Sequence, residues 1–314
     1  MQHKEVIDII KNSTNIAIVT HESPDGDAIG SSTAMYLILK KLNKEADLII
    51  KEYSNVFNVV NILSESIREP RNINYDLVIV VDSAKIERVN EVDIIKNAKN
   101  VINIDHHISN NLFGTYNIVE GGSPACCQVL ISLFKDLGIT IDKEIATSLL
   151  VGIITDTNGF RNQSTNKETL IDVANMLDLG VNLSEIYMKV LSTNTLSQFE
   201  LKKIADNRLE FFENGKIAFT YITEEDKRRV NAQIGDHEGI VDVGRCIEGV
   251  EVSIFLHEKD GMYKVSLRSN SYVNVSEIGL MFNGGGHFYA SGFVSDLDLL
   301  DLKNKLIEEV AKRL

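Results

Sequence analysis

The chain has 314 residues, of which 44% are hydrophobic and 25% charged, with only three prolines. This length exceeds the size at which one core usually keeps growing, so two globular domains are expected. The formal net charge of −13 argues against a protein that grips long duplex nucleic acid, because such binding needs many Lys and Arg contacts to phosphates.

The expected location is the cytoplasm. The three cysteines, Cys126, Cys127 and Cys246, do not suggest a disulfide framework and favour a reducing compartment. The N-terminus lacks the basic and apolar blocks of a signal peptide, and no apolar run approaches the length of a membrane span. We therefore expect no membrane contact.

The first half alternates short apolar runs with helical patterns. Strands are predicted at residues 15–20, 46–51, 75–81 and 101–104, and a helix is predicted at residues 28–42. Runs that are apolar on both faces predict a parallel sheet with helices on both sides, which is the α/β class. Helices are then predicted around residues 124–137, 143–154, 167–179 and 183–191.

The character of the chain changes after residue 215. Residues 196–212 read as one charged helix that could connect two domains, and strands are predicted at residues 216–222, 251–256 and 263–268. Residues 297–314 form an amphipathic pattern. The predicted organisation is a domain at 1–192, a connector helix at 193–215, and a small α+β domain at 216–314.

Polar residues follow three of the predicted strands where each strand ends. They are His21, Asp25 and Asp27 after the first, Asp82 after the third, and Asp105, His106 and His107 after the fourth. The carboxyl ends of parallel strands share one edge of the sheet, where ligands bind. Asp156, at the end of an apolar helical pattern, could bring another carboxylate to the same edge.

So many carboxylates would repel one another unless cations neutralised them. Aspartate and histidine together favour Mn²⁺ over the oxygen-preferring Mg²⁺. There are enough ligands for two ions about 3.5–4 Å apart, an arrangement that clamps the attacking and leaving oxygens in phosphoryl displacement.

Each motif alone allows a simpler interpretation. The segment from His21 to Asp27 could be a loop with an Asx-turn, and Asp82 could be a helix N-cap. The adjacent histidines after Asp105 do not resemble core packing. Because all the motifs lie on strand ends, the metal-site interpretation is favoured.

A second set of candidates lies in the C-terminal domain. Three glycines before His287 would leave backbone N–H groups open to a phosphate, although such a run is more often a flexible turn. Arg268 and, more weakly, Arg161 are candidate anion contacts, since a guanidinium matches phosphate geometry. His3, His237 and His257 are expected to be solvated surface residues.

These motifs resemble the DHH/DHHA1 phosphoesterase family. The resemblance rests on Asp105-His106-His107 and on Gly284-Gly285-Gly286-His287, and it runs from His21 to Gly292. The compact length resembles the bacterial branch of bifunctional oligoribonucleases and 3′-phosphoadenosine 5′-phosphate (PAP) phosphatases. The sequence departs from the family pattern at Asn158, where glycine is usual, and at residues 123–127, which lack the usual Thr and Glu.

The resemblance implies a role for each matching residue. His21 and Asp25 would bind one Mn²⁺, Asp27, His106 and Asp156 a second, and Asp82 would bridge them. His107 would lie beside the scissile phosphate and Asp105 would orient its neighbours. The remote part of the nucleotide would be held by Arg268, Gly284, Gly285, Gly286 and His287.

The expected function is Mn²⁺-dependent hydrolysis of short oligoribonucleotides or linear dinucleotides to mononucleotides, and of PAP to AMP. The expected partners are short single-stranded RNA, dinucleotides and PAP, and a homodimer is one possible assembly. Alternatives are a cyclic-dinucleotide phosphodiesterase in second-messenger turnover, a family II pyrophosphatase, which has a different C-terminal domain, and a non-catalytic nucleotide-binding protein. Mg²⁺ is the alternative metal to Mn²⁺.

Overall fold

The computed structural model describes residues 2–71 and 74–314. The chain divides into two compact units, Met1–Thr193 and Asn194–Leu314. A parallel sheet in the first unit and a separate mixed sheet in the second confirm the predicted fold class. Within the described ranges, no helix has both the length and the apolar character needed to cross a membrane.

The first unit alternates strands and helices and then ends in a run of helices. Its elements are α1 Gln2–Asn12, β1 Ile16–Val19, α2 Gly26–Lys41, β2 Ala46–Ile49, α3 Leu63–Ser66, β3 Leu77–Val81, α4 Val92–Asn97, β4 Asn100–Asp105, β5 Tyr116–Val119, α5 Cys126–Asp136, α6 Lys143–Asp156, α7 Lys167–Asp178 and α8 Leu183–Tyr187. Short 3-10 turns lie at Asn55–Val59 and Ile86–Arg88, and a π-helical turn lies at Met188–Ser192.

The sheet of the first unit has the order β2-β1-β3-β4-β5, and all of its strand pairs are parallel. Both faces are apolar. Ile16 and Ile18 of β1 pack into one buried cluster, whereas Ala17 and Val19 pack into another on the opposite face. Alternate residues of a strand point to opposite faces, so the continuous apolar runs follow from burial on both sides.

Helices α2 and α6 pack closely against each other. A Cβ atom on Gly30 of α2 would lie 2.4 Å from the Ser148 carbonyl oxygen and 3.0 Å from the Gly152 nitrogen of α6. A Cβ atom on Gly26 would lie 2.3 Å from the Thr155 hydroxyl. Glycine at these positions lets the start of α2 approach the end of α6, which carries Asp156.

The second unit is built on a six-stranded sheet. Its elements are α9 Leu196–Asn207, β6 Glu210–Phe212, β7 Ile217–Ile222, α10 Glu224–Arg229, α11 Asp242–Arg245, β8 Val252–Lys259, β9 Met262–Ser269, α12 Val275–Met281, β10 Gly285–His287, β11 Ala290–Ser295 and α13 Leu299–Ala311. The strand order is β10-β11-β9-β8-β7-β6, in which β7 and β8 are parallel and the other pairs antiparallel.

Two expectations about this unit are wrong. The helix expected at residues 196–212 ends at Asn207, and β6 follows, pairing with β7 across a turn in which Glu213, Asn214 and Gly215 have positive φ. The Asn-Gly pair in the turn permits this hairpin. The hairpin was not predicted because the charge pattern of the segment is typical of a helix. His257 is not a surface residue, because it lies on β8 with 4% of its surface exposed.

Candidate metal centre

Three neighbouring strands deliver the polar residues to one edge of the first sheet. His21 follows β1, Asp82 follows β3, and Asp105 ends β4. These strands are adjacent and parallel, so the residues that follow them lie close together. Asp82 has a φ of +54°, and its N–H donates to the Ile104 carbonyl, so the backbone turns sharply where the side chain enters the site.

One group of ligand atoms comes from His21, Asp25 and Asp82. The His21 Nε2 atom lies 3.9 Å from Asp25 Oδ1 and 3.6 Å from Asp82 Oδ2. The other ring nitrogen, Nδ1, lies 2.8 Å from the Glu22 carbonyl oxygen. A hydrogen bond from Nδ1 to this carbonyl leaves Nε2 as the nitrogen that faces the carboxylates and can ligate a metal.

A second group comes from Asp27, His106 and Asp156. The His106 Nε2 atom lies 3.8 Å from Asp27 Oδ2 and 3.4 Å from Asp156 Oδ2. Its Nδ1 atom lies 2.9 Å from the Ser123 carbonyl oxygen, which orients the ring as in the first group. All three side chains come from different elements, namely α2, the segment after β4, and the end of α6.

Asp82 lies between the two groups and faces both. Its Oδ2 is the oxygen near His21, and its Oδ1 lies 3.5 Å from His106 Nε2. Only 2% of the residue is exposed, and Oδ1 has no hydrogen-bond partner among the described residues. A buried carboxylate oxygen is costly to leave unbonded, so this arrangement fits a carboxylate that shares its two oxygens between two cations.

The electrostatics also fit divalent cations. Burial, followed by the charges of Asp82 and Asp156, holds the pKa of Asp27 well above its ordinary value. Burial also raises the pKa of Asp156 to about 6. Burial opposes the charged form of His21, but the contacts with Asp82 and Asp25 outweigh it and raise the pKa of His21 to about 9. A cation would stabilise the ionised carboxylates and displace these protons.

His107 belongs to a separate hydrogen-bond chain. Its Nδ1 atom lies 2.7 Å from Asp105 Oδ1, and Asp105 is fully buried. Asn110 donates to Asp105 Oδ2 at 2.6 Å and to Asn103 Oδ1 at 2.8 Å. Asn110 was not predicted from the sequence, although a polar residue three positions after the histidine pair, in the loop that follows β4, was a usable signal.

The residues expected to contact substrate belong to the turn after α6 and to the second unit. Arg161 is exposed in the turn after α6, and its Nε donates to the Asn158 carbonyl. In the second unit, Arg268 pairs with Ala290 across β9 and β11, and Ala290 pairs with His287 across β11 and β10. Residues in register share a face, so Arg268 and His287 flank the small side chain of Ala290.

The glycine run does not form the open loop that the sequence suggested. The Gly284 N–H donates to the Gly279 carbonyl, and Gly285–His287 form strand β10. A Cβ atom on Gly284 would lie 2.2 Å from the Gly292 carbonyl oxygen, and Gly286 has a φ of +141°. The glycines therefore permit close strand packing beside His287, and the expectation of open N–H groups is wrong for Gly284.

Comparison with known proteins relates both units to one family. Residues 15–153 match the DHH family, N-terminal domain, and residues 214–313 match the DHHA1 domain. The chain is 33% identical to the bifunctional oligoribonuclease and PAP phosphatase NrnA of Thermus thermophilus, over 95% of this chain and 90% of that protein. It is 26% identical to the protein of the same name from Bacillus subtilis, over 92% and 91% of the two chains.

A solved structure agrees with these matches. The exopolyphosphatase-related protein from Bacteroides fragilis superimposes with a TM-score of 0.87 at 26% identity, over 98% of this chain and 96% of that chain. The resemblance drawn from the sequence motifs is thus confirmed, and the chain belongs to the DHH/DHHA1 phosphoesterase family.

Proposed function

We propose that this chain is a metal-dependent phosphoesterase that hydrolyses short oligoribonucleotides to mononucleotides and PAP to AMP. The observation that carries the proposal is Asp82, a buried carboxylate whose two oxygens face two separate groups of ligand atoms. The names of the relatives from Thermus thermophilus and Bacillus subtilis support the choice of substrates.

The proposed cofactor is a pair of Mn²⁺ ions. One would be held by His21 and Asp25, the other by Asp27, His106 and Asp156, with Asp82 shared. The mixed oxygen and nitrogen donors suit Mn²⁺ better than Mg²⁺, which prefers oxygen ligands and octahedral geometry. Bound there, the ions would neutralise charge on the phosphoryl oxygens and lower the pKa of water.

The residues of the chain then orient the substrate. Asp105 accepts a hydrogen bond from His107 Nδ1. Burial opposes protonation of His107, but the contacts with Asp105 and Asp82 outweigh it and raise the pKa of the ring. The protonated ring also carries an Nε2–H, which can bind a phosphoryl oxygen. Arg268 and His287 would bind the part of the nucleotide remote from the reacting phosphate, because a guanidinium and an imidazole across a small residue suit an anionic group. Arg161 is a further candidate for a phosphate contact.

The alternatives differ in substrate or in catalysis. A family II pyrophosphatase has a different C-terminal domain, so the DHHA1 match at residues 214–313 favours a nucleotide substrate. A cyclic-dinucleotide phosphodiesterase would share the metal centre. A non-catalytic nucleotide-binding protein would not need Asp82 buried between two groups of ligand atoms.

The test is a substrate panel with and without Mn²⁺. Linear dinucleotides, PAP, cyclic dinucleotides and pyrophosphate would be compared, with Asp82→Asn as the site variant and the exposed Asp8→Asn as the control. We expect turnover of linear dinucleotides and PAP, and a loss of at least about 100-fold in Asp82→Asn together with lost metal. Dominant turnover of pyrophosphate or cyclic dinucleotides, or Mn²⁺ binding without hydrolysis, would reject the proposal.

The role of Arg268 is tested on the same panel. Arg268→Ala should raise KM for dinucleotides while leaving the number of bound metal ions and the slow hydrolysis of a small artificial phosphodiester unchanged. Equal losses on both kinds of substrate would argue against a contact to the remote part of the nucleotide.

A further inference from the structure

Asp27 is held by the start of helix α5, which lies about a hundred residues further along the chain. Its Oδ2 accepts a hydrogen bond from the Cys126 N–H at 2.5 Å, and its Oδ1 accepts one from the Cys127 N–H at 3.0 Å. Asp27 itself sits in the first turn of α2 with 1% of its surface exposed. Both carboxylate oxygens are therefore fixed by backbone groups of another helix.

The start of α5 is available for this contact because its own cap is missing. Ala125 is the N-cap residue, and no side chain of that residue can accept the N–H groups of the first turn. The first N–H groups of a helix need acceptors, and the positive end of the helix dipole favours an anion. Asp27 supplies the acceptor that a Ser, Thr or Asp at position 125 would otherwise provide.

Helix α6 also approaches the carboxylate closely. A Cβ atom on Gly152 would lie 2.5 Å from Asp27 Oδ1 and 2.3 Å from Cys127 Sγ. The side chain of Asp27 thus packs against both the start of α5 and the backbone of α6. In the orientation held by these contacts, Oδ2 lies 3.8 Å from His106 Nε2, within the second group of ligand atoms.

We propose that the Cys126 and Cys127 amides are positioning groups that fix Asp27 for metal binding. This inference rests on the proposed function, in which Asp27 binds one of the two ions. The amides act through Asp27 in two ways: they fix the direction of its free lone pairs, and the positive end of α5 offsets the repulsion from Asp82 and Asp156. The backbone at residues 126 and 127 does the positioning, and the two thiols are not required.

The test replaces one N–H group and nothing else. The variant Cys126→Ala keeps the backbone N–H at position 126. Its ester analogue carries lactic acid, the α-hydroxy acid that corresponds to alanine, at that position, so an ester oxygen replaces the N–H. Both variants lack the thiol, which otherwise donates to the Ile104 carbonyl at 3.3 Å. Mn²⁺ affinity would be measured by calorimetry and by the paramagnetic resonance signal of free Mn²⁺, with circular dichroism to check folding.

We expect Cys126→Ala to bind Mn²⁺ like the unmodified protein, and the ester to weaken one of the two ions by about 10- to 100-fold. Equal affinities in the two variants would overturn the inference. If the ester does not fold while Cys126→Ala does, Cys127→Ala and its ester analogue at position 127 would be compared in the same way, and equal Mn²⁺ affinities in that pair would overturn the inference.

Asp27→Asn separates this inference from the proposed function. If Asp27→Asn weakens Mn²⁺ binding and the ester does not, Asp27 binds metal without help from α5, and only this inference fails. If Asp27→Asn leaves both Mn²⁺ ions bound with unchanged affinity, the assignment of Asp27 as a ligand fails, and the proposed metal centre fails with it.

Discussion

Asn110 is the residue that joins the Asp105–His107 pair to the rest of the first unit. Its side-chain nitrogen lies within hydrogen-bond distance of Asp105, Asn103 and the Ser83 carbonyl. Its side-chain oxygen accepts the Leu112 N–H at 2.7 Å, which fixes the orientation of the amide. Because Asp105 is fully buried, a lost partner cannot easily be replaced by water.

Asn110→Ala should therefore lower kcat by about 10- to 100-fold without removing metal, because Asp105 and His107 lose their orientation while the ligands stay in place. The measurements are kcat, KM and the number of metal ions per chain. Asn111→Ala is the matched control, since Asn111 is the exposed neighbour and should tolerate the change. Loss of metal in Asn110→Ala would place Asn110 in support of the ligands instead.

Helices α2 and α6 show how an element contact builds the site. The glycine contacts at Gly26, Gly30 and Gly152 set the separation between Asp27 in the first turn of α2 and Asp156 in the last turn of α6. Gly30→Ala should lower the free energy of unfolding by about 1–3 kcal/mol, because the added methyl group meets backbone atoms that cannot move aside cheaply.

Denaturant unfolding with Mn²⁺ titration would measure both effects of Gly30→Ala. We expect Mn²⁺ affinity to fall along with stability, since the two carboxylates move apart. Gly121→Ala is the control, because its Cβ would meet only ordinary contacts at 3.5 Å. Unchanged stability in Gly30→Ala would mean that the helices can separate without cost.

In the second unit, the half-buried His237 packs against the buried His257 of β8, and this pair predicts acid sensitivity. The rings of His237 and His257 lie 4.0 Å apart, and neither ring nitrogen of His257 has a hydrogen-bond partner among the described residues. Burial, followed by the charge of Lys264, lowers the pKa of His237 to about 3, and burial together with His237 lowers that of His257 still further.

Both histidines bind protons more readily in the unfolded chain, whose histidine pKa is near 6.5. The contribution of the two neutral histidines to the free energy of unfolding should therefore be fully present above about pH 6.5. It should fall as the pH drops toward 3, by up to about 1.4 kcal/mol per pH unit for each histidine. Urea unfolding at pH 7.5 and pH 5 with saturating Mn²⁺ would measure this. His257→Leu should show a smaller loss than the original chain, and equal losses would contradict the prediction.

At the scale of the whole molecule, the net charge of −13 predicts a preference for short substrates. Attraction for RNA rests on the proposed metal ions and on single residues such as Arg268, so each added phosphate contributes more repulsion than contact. Initial rates at fixed ionic strength should peak at a few nucleotides and then decline with length. A rate that climbs steadily with length would instead favour a processive exonuclease that tracks the strand.

The sequence determined the elements whose signals are local. Apolar runs at residues 15–20, 75–81 and 101–104 became three strands of the parallel sheet, and the polar residues at their ends met as the topology rule requires. Strand β5, Tyr116–Val119, was not predicted, because only Ile118 in it is buried and the apolar pattern is weak. The hairpin at residues 210–219 was concealed by a charge pattern that suits a helix.

The tertiary structure decided everything that depends on distant partners. No local pattern shows that His257 is buried, that Gly284 lies too close to the Gly292 carbonyl for any side chain, or that Asn110 bonds to Asp105. The Cys126 N–H and the Asp27 carboxylate are 99 residues apart in the chain and 2.5 Å apart in space. Periodicity reports which face of an element is buried, whereas the identity of its neighbour is fixed only when the elements pack.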